Sequence, residues 1–233
     1  MSAAAHRGED NRRGDRYTAP DFSAAALITI DTQRDVLDGG ALEIAGTSAV
    51  LPRMEALLRG FRETREQIVH IVRLYESDGS NADLCRRGLL ERGARILHPG
   101  SEGTQLAREL LPVPQLRLDD TLLLAGGVQH ISEHEVAIYK PRWGAFYRTP
   151  LEDHLRANGV STLVFCGCNF PNCPRTSIYE ASERDFRVVL ARDAVSGLYE
   201  QGERELENIG VRVIESAELL DSLRAAQTAK AAR

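Results

Sequence analysis

Asp31, Lys140 and Cys173 each stand at the end of an apolar run or just past one. Asp31 closes AAALITID, Lys140 closes VAIYK, and Cys173 closes the GCNFPNC segment that follows TLVFC. A carboxylate beside a thiol can take the S–H proton and later return it to a leaving amine. A lysine between an apolar strand and the aromatic PRWGAF stretch suits a charge held near developing negative charge. Pro174 follows Cys173, and proline favours the first helical position. Cys173 is therefore the expected N-cap, where unpaired N–H groups and the helix dipole favour a thiolate.

Each residue also has a plainer reading. Asp31 could cap the next turn, Lys140 could be a surface cation, and Cys173 could be a buried, inert thiol. Cys166, Cys168 and Cys173 form C-x-C-x4-C, which for zinc lacks a second paired-cysteine motif. A redox disulfide between Cys168 and Cys173 is a further alternative. His70 lies within a strand and reads as a packed core histidine, and the other histidines lack metal-ligand spacing.

The elements that must carry these residues alternate. Ala24–Asp31 reads as a buried strand, Ser48–Glu66 as a helix with apolar residues at helical spacing, and Ile68–Tyr75 as a second strand. A short helix is expected over Gln105–Leu111. Val136–Tyr139 is a strand, Leu151–Ala157 a helix, Thr162–Cys166 a strand and Pro174–Glu183 a helix. Arg187–Ala191, Gln201–Asn208, Val211–Ile214 and Ala217–Ala226 then alternate strand and helix. Thr121–Ile131 is an extra hairpin or strand with no assigned place.

This alternation predicts a three-layer α/β/α sandwich, Rossmann-like and doubly wound, on a six-stranded, mainly parallel sheet. Ligands of such sheets bind beyond the carboxyl ends of the strands, where the carboxylate, amine and thiol could share one cleft. The Arg-rich stretch Ser77–Gly103 reads as a solvated helix with its loops, or as an anion-binding lid.

Composition sets the outer limits. Net charge is −5, apolar residues make up 42% and charged residues 27%, which excludes a mainly disordered chain. A pI near 5.7 gives no reason to expect nucleic-acid binding, and no apolar stretch is long enough to span a membrane. Without a signal-peptide pattern or a disulfide framework, the expected location is cytoplasmic. The expected organisation is a disordered arm over 1–22, one domain over 23–222 and a frayed tail over 223–233.

The segments LITIDTQRDVL, VAIYKPRWGAF and TLVFCGCNFPNCPRTSIYEASERDFRVVLARDAV, in this order, resemble the isochorismatase-like cysteine hydrolases, from roughly Ala24 to Leu220. The resemblance implies a catalytic triad of Asp31, Lys140 and Cys173. It also implies a non-proline cis peptide at Cys168–Asn169, which turns the N–H of Asn169 toward the site to form an oxyanion hole with that of Cys173. Candidate substrate-binding residues are Gln33, Trp143, Phe146 and Phe170.

Two departures narrow the expectation. Relatives often carry small residues before the cysteine, whereas Phe170 and Pro171 here should narrow that wall. The Asp-x-His metal motif of family nicotinamidases has no counterpart in LYESDGSN, so no metal is expected. The expected activity is cysteine-dependent hydrolysis of a C–N bond in a small amide, ureido or carbamoyl compound, without cofactor and in a homo-oligomer. The alternatives are a vinyl-ether hydrolase of isochorismatase type, in which Cys173 is a bystander, and a non-catalytic thiol-redox or binding protein.

Overall fold

A computed structural model describes residues 15–232. The disordered arm expected over 1–22 falls largely outside these residues.

Seven strands form one sheet: β1 (Ala25–Ile30), β2 (Gln67–Val72), β3 (Val128–His130), β4 (Glu135–Tyr139), β5 (Thr162–Gly167), β6 (Arg187–Val195) and β7 (Arg212–Ile214). Their order is β3-β4-β2-β1-β5-β6-β7, and every pairing is parallel except β3–β4. The expected six-stranded sheet thus gains one member. The 121–131 segment folds as a short helix, α3 (Asp120–Leu124), and the antiparallel edge strand β3. Three residues beside two glycines carry too little periodicity to announce a strand. Pairing with Val136–Ile138 makes it one.

The remaining helices are α1 (Thr47–Thr64), α2 (Leu84–Glu91), α4 (Leu151–Ala157), α5 (Cys173–Ser182), α6 (Glu200–Glu207) and α7 (Ser216–Ala231). Side chains of a strand alternate between faces, and here the alternation builds two cores. Ala26, Ile28 and Ile30 of β1, with Leu163 and Phe165 of β5, pack with Leu151 and Leu155 of α4, Ile178 of α5 and Leu206 of α6. Ala25 and Leu27 of β1, with Val164 of β5, join Leu57 and Phe61 of α1 and Leu219 and Leu223 of α7. The result is the three-layer α/β/α sandwich.

Two local expectations change. Gln105–Leu111 contains only a 3-10 turn, Arg108–Leu110. The tail is not frayed from 223 onward, because α7 continues to Ala231 and Leu223 is buried. Lys230 Nζ reaches Glu66 Oε1 and the Ser23 carbonyl, both at 3.3 Å. An Ala/Lys/Arg tail has high helix propensity, and here it also has a surface to lie on.

Below the sheet's carboxyl end sits a buried polar knot. Arg62 Nε and Nη2 donate to Glu135 at 2.9 and 2.7 Å. His70 lies 2.8 Å from both Glu135 Oε1 and Thr29 Oγ1. Burial alone would raise the Glu135 pKa, but the Arg62 and His70 contacts outweigh it and hold it at about 2. His70 is the packed core histidine that its strand position suggested.

Candidate active site

β1 and β5 lie side by side at the centre of the sheet, and the chain runs outward from them in both directions. The three reactive groups converge beyond the carboxyl ends there. Asp31 follows the last residue of β1, and its N–H donates to Ile71 O at 2.9 Å. Its φ of 50° lies in the left-handed region, which costs most residues about 1–2 kcal/mol and which aspartate tolerates better than most. Gly167 ends β5 at φ 117°, where a Cβ would meet Ile30 O at 2.3 Å. Only glycine lets β5 pass this close to β1, and the chain then leads on to Cys173.

Lys140 stands two strands from Asp31, with β2 between them, a separation of about 10 Å. Its long side chain crosses that gap entirely out of solvent. The Nζ lies 2.8 Å from Asp31 Oδ2 and donates to Cys173 Sγ at 3.2 Å and Arg142 O at 3.3 Å. Three acceptors match the three N–H bonds of an ammonium. Burial works against the Lys140 charge, while the Asp31 carboxylate and then Cys173 favour it, and the net direction is upward.

Cys173 is the first residue of α5, and Asn172 takes the cap position expected for Cys173. Burial, followed by the neighbouring Asp31 charge, pushes the thiol pKa well up against the opposing pull of Lys140. The resting thiol is therefore neutral, not the thiolate anticipated from a helix terminus, because desolvation and the Asp31 carboxylate disfavour the charged form. Asp31 Oδ1 is buried with no hydrogen-bond partner. One carboxylate oxygen is thus held by Lys140 and the other is buried and unpaired.

The Cys168–Asn169 peptide is trans, contrary to expectation. The Cys168 N–H donates to Ile30 O and the Phe170 N–H to Ser196 O, both at 2.8 Å, so the flanking groups are satisfied with the ordinary geometry. The backbone N–H groups of Asn169 and Cys173 donate to no other group among the described residues.

The cavity at the site is narrow, with a volume of about 30 Å³. Asp31, Lys140, Asn169, Cys173 and Trp143 line it. A roomier hollow of about 390 Å³ beside Phe186 and Val211 lies at the amino ends of β6 and β7 and has none of these groups.

Three expected substrate contacts are not in the cavity wall. Gln33 is fully buried and spent on the scaffold: its Nε2 donates to Arg73 O at 2.8 Å and Thr104 O at 2.7 Å, and its Oε1 accepts from Arg73 N at 2.7 Å. Phe146 packs on Phe186, with centroids 6.0 Å apart. Phe170 turns away from the site, edge-on to Tyr199 at 5.5 Å and wholly buried, so it does not narrow the wall.

In their place the cavity is lined by Arg73, Tyr75, Arg86 and Leu97, with Leu42 and Ile44 from the loop after β1. Arg73 was open to discovery by the rule that found Asp31, since it directly follows β2. The others come from irregular segments with no such signal.

The cysteines separate by function of position. Cys166 packs in the core on the α1 and α7 side, whereas Cys173 packs on the opposite side of the sheet. They cannot share one metal. No cluster of three metal-ligating side chains occurs among the described residues. No helix there is long and apolar enough to cross a membrane.

Comparison with known proteins agrees with this architecture. The Isochorismatase domain profile matches residues 25–218. A probable inactive nicotinamidase of Arabidopsis thaliana is 26% identical over 193 residues, spanning 80% of this chain and 90% of the relative. A ureidoacrylate amidohydrolase of Methylorubrum extorquens is 27% identical over 207 residues, spanning 84% and 78%. The solved structure of an isochorismatase family protein from Desulfovibrio vulgaris matches with a TM-score of 0.73 at 28% identity, covering 86% of this chain and 98% of that one. With the family profile spanning nearly the whole sheet and the helices that flank it, the chain belongs to the isochorismatase domain family.

Proposed function

We propose that this protein hydrolyses a C–N bond of a small amide, ureido or carbamoyl compound through a thioester-type intermediate on Cys173. The observation that carries this reading is the buried Lys140 ammonium, which bridges the Asp31 carboxylate and the Cys173 sulfur. The similarity to a ureidoacrylate amidohydrolase supports the same class of bond.

The resting thiol is neutral, so a base must take its proton as it attacks. Asp31 Oδ1, free of other partners, is that base. The sulfur adds to the substrate carbonyl carbon, and Lys140 offsets the negative charge as the proton leaves. The unengaged N–H of Cys173, at the start of α5, holds the oxyanion, a donor worth about 3–4 kcal/mol. Protonated Asp31 gives its proton to the departing amine as the C–N bond breaks. A water then loses a proton to Asp31, attacks the thioester carbon and releases the acid together with the thiol, which regains that proton.

A vinyl-ether hydrolysis would need Asp31 but not the sulfur. Against the redox alternative, the Cys168 pKa is raised to about 11 by burial and Cys173 is raised as well, so neither readily supplies a thiolate.

A screen of primary amides and ureides for ammonia release identifies a substrate, and rapid quenching with intact mass spectrometry then seeks the acyl adduct on Cys173. Adduct formation in the wild type, with no turnover by Cys173→Ser, is the expected result. Full turnover by Cys173→Ala on the true substrate would overturn the scheme.

A further inference from the structure

The charges that face the active cavity do not cancel. Lys140 is matched by Asp31 at 2.8 Å. Arg73 is matched by Asp83, with Nη2 2.5 Å from Oδ2, and its Nη1 donates to the Lys140 carbonyl at 2.7 Å. Arg86 is the third cation on the wall. Among the described residues its guanidinium makes no hydrogen bond or ion pair, and its Nε is buried without a partner. Asp83 is the nearest carboxylate in sequence, but its Oδ2 serves Arg73 and its Oδ1 is buried without any partner, so it does not reach Arg86. Three cations against two carboxylates leave one positive charge uncompensated.

The helical period explains why this arginine is singled out. Asp83, Arg86 and Leu90 fall on one side of α2. Leu90 anchors that side in a small core with Tyr75 and Leu97. Arg87, Arg92 and Arg95 of the same stretch are exposed. A buried guanidinium nitrogen left without a partner is costly, and a ligand that supplies the missing acceptor removes the cost.

We propose that the cavity takes a small monoanion, a carboxylate-bearing amide or ureide, with Arg86 receiving its carboxylate. This rests on the hydrolase reading for the scissile group, although the anion subsite is independent of it. One uncompensated charge matches a carboxylate better than a phosphate dianion. The narrow cavity limits the ligand to a few heavy atoms, and Leu42, Ile44, Leu97 and Trp143 offer an apolar wall to its body.

The test uses two alkylating reagents of nearly equal size, anionic iodoacetate and neutral iodoacetamide, followed at Cys173 by peptide mass spectrometry. Glutathione serves as the reference thiol. Charge-assisted hydrogen bonding predicts an iodoacetate-to-iodoacetamide rate ratio at Cys173 roughly 10- to 100-fold above that of glutathione. Arg86→Gln should remove most of this excess and Arg86→Lys should restore part of it, with Lys140 untouched in both. A wild-type ratio equal to that of glutathione, or an excess that survives Arg86→Gln, overturns the proposal.

If neither reagent reaches the sulfur, thermal stabilisation by propionate over propionamide is compared in the same proteins. An Arg86-dependent preference supports the subsite, and its absence rejects it. A protein that passes this test yet releases ammonia from no amide or ureide keeps the anion subsite and loses the hydrolase reading.

Discussion

Strand β4 carries a buried ionic network at each end, and the two differ in one respect. At its start, Glu135 is held by Arg62 and His70, and the opposite ring nitrogen of His70 is taken by Thr29. Just past its end, Lys140 holds Asp31 and Cys173, but Asp31 Oδ1 and the nearby Arg86 Nε remain unpaired. The carboxylate at each end is buried, with His70 at one end and Lys140 and Cys173 at the other, while Arg62 and Arg86 are half-buried. The first network is closed and the second is open. A closed network has nothing left to offer a ligand, whereas buried unpaired atoms mark where a substrate would complete the hydrogen bonding.

The contrast fails if the open end proves structural, so its largest consequence comes first. Asp31→Asn keeps the shape of the side chain and removes the base. Turnover of any substrate found should fall by about 10⁴-fold, within the range by which acid–base groups contribute, and the folded state should lose roughly 3 kcal/mol as the buried Lys140 loses its counter-ion. A variant that unfolds but retains its rate once folded would reverse the assignment.

Glu135→Gln should likewise cost roughly 3 kcal/mol of stability because the Arg62 guanidinium and the His70 ring lose their carboxylate partner, but with kcat of the folded protein preserved. The pH dependence has a definite sign. Glu135 has its folded pKa lowered to about 2 from 4.5, so its contribution is present above pH 4.5 and is lost as pH falls toward 2. Acid titration of the wild type, followed by circular dichroism, should show this loss, and Glu135→Gln should flatten it.

The open end titrates at alkaline pH instead. Because burial and Asp31 raise the Cys173 pKa, its labelling by iodoacetamide should keep climbing above pH 9 without reaching a plateau. Unfolded cysteine ionises near 9, so this group also makes stability fall as pH rises through that range. A labelling plateau near neutral pH would mean a preformed thiolate and no need for Asp31 as base.

The ion pair between the solvated Lys230 and the largely buried Glu66 sets the floor of the comparison. Lys230 is largely solvated, and Lys230→Ala should cost less than about 1 kcal/mol by urea denaturation.

The catalytic candidates were legible because strand ends are legible. Asp31, Lys140 and the Cys173–Pro174 pair each follow a recognisable apolar run, and a parallel sheet brings its carboxyl ends to one edge. Arg73 obeyed the same rule and was overlooked. Gln33, Phe146 and Phe170 lie outside the cavity wall because sequence gives proximity to the site but not the direction of a side chain. Gln33 is spent on backbone groups, Phe146 packs on Phe186 and Phe170 on Tyr199. Arg86 lay within an arginine-rich stretch whose members look alike in sequence. Only the docking of Leu90 turns one inward.

The sequence by itself determined the alternation of strand and helix, the α/β/α layering and the identity of the carboxylate, amine and thiol. These follow from local periodicity and from where short apolar runs stop. Tertiary structure alone decided that Lys140 reaches across β2, that Cys173 rests as a neutral thiol, and that Asp31 Oδ1 and Arg86 Nε stay unpaired. Those properties arise from desolvation and from distances between segments far apart in the chain, which no local pattern encodes.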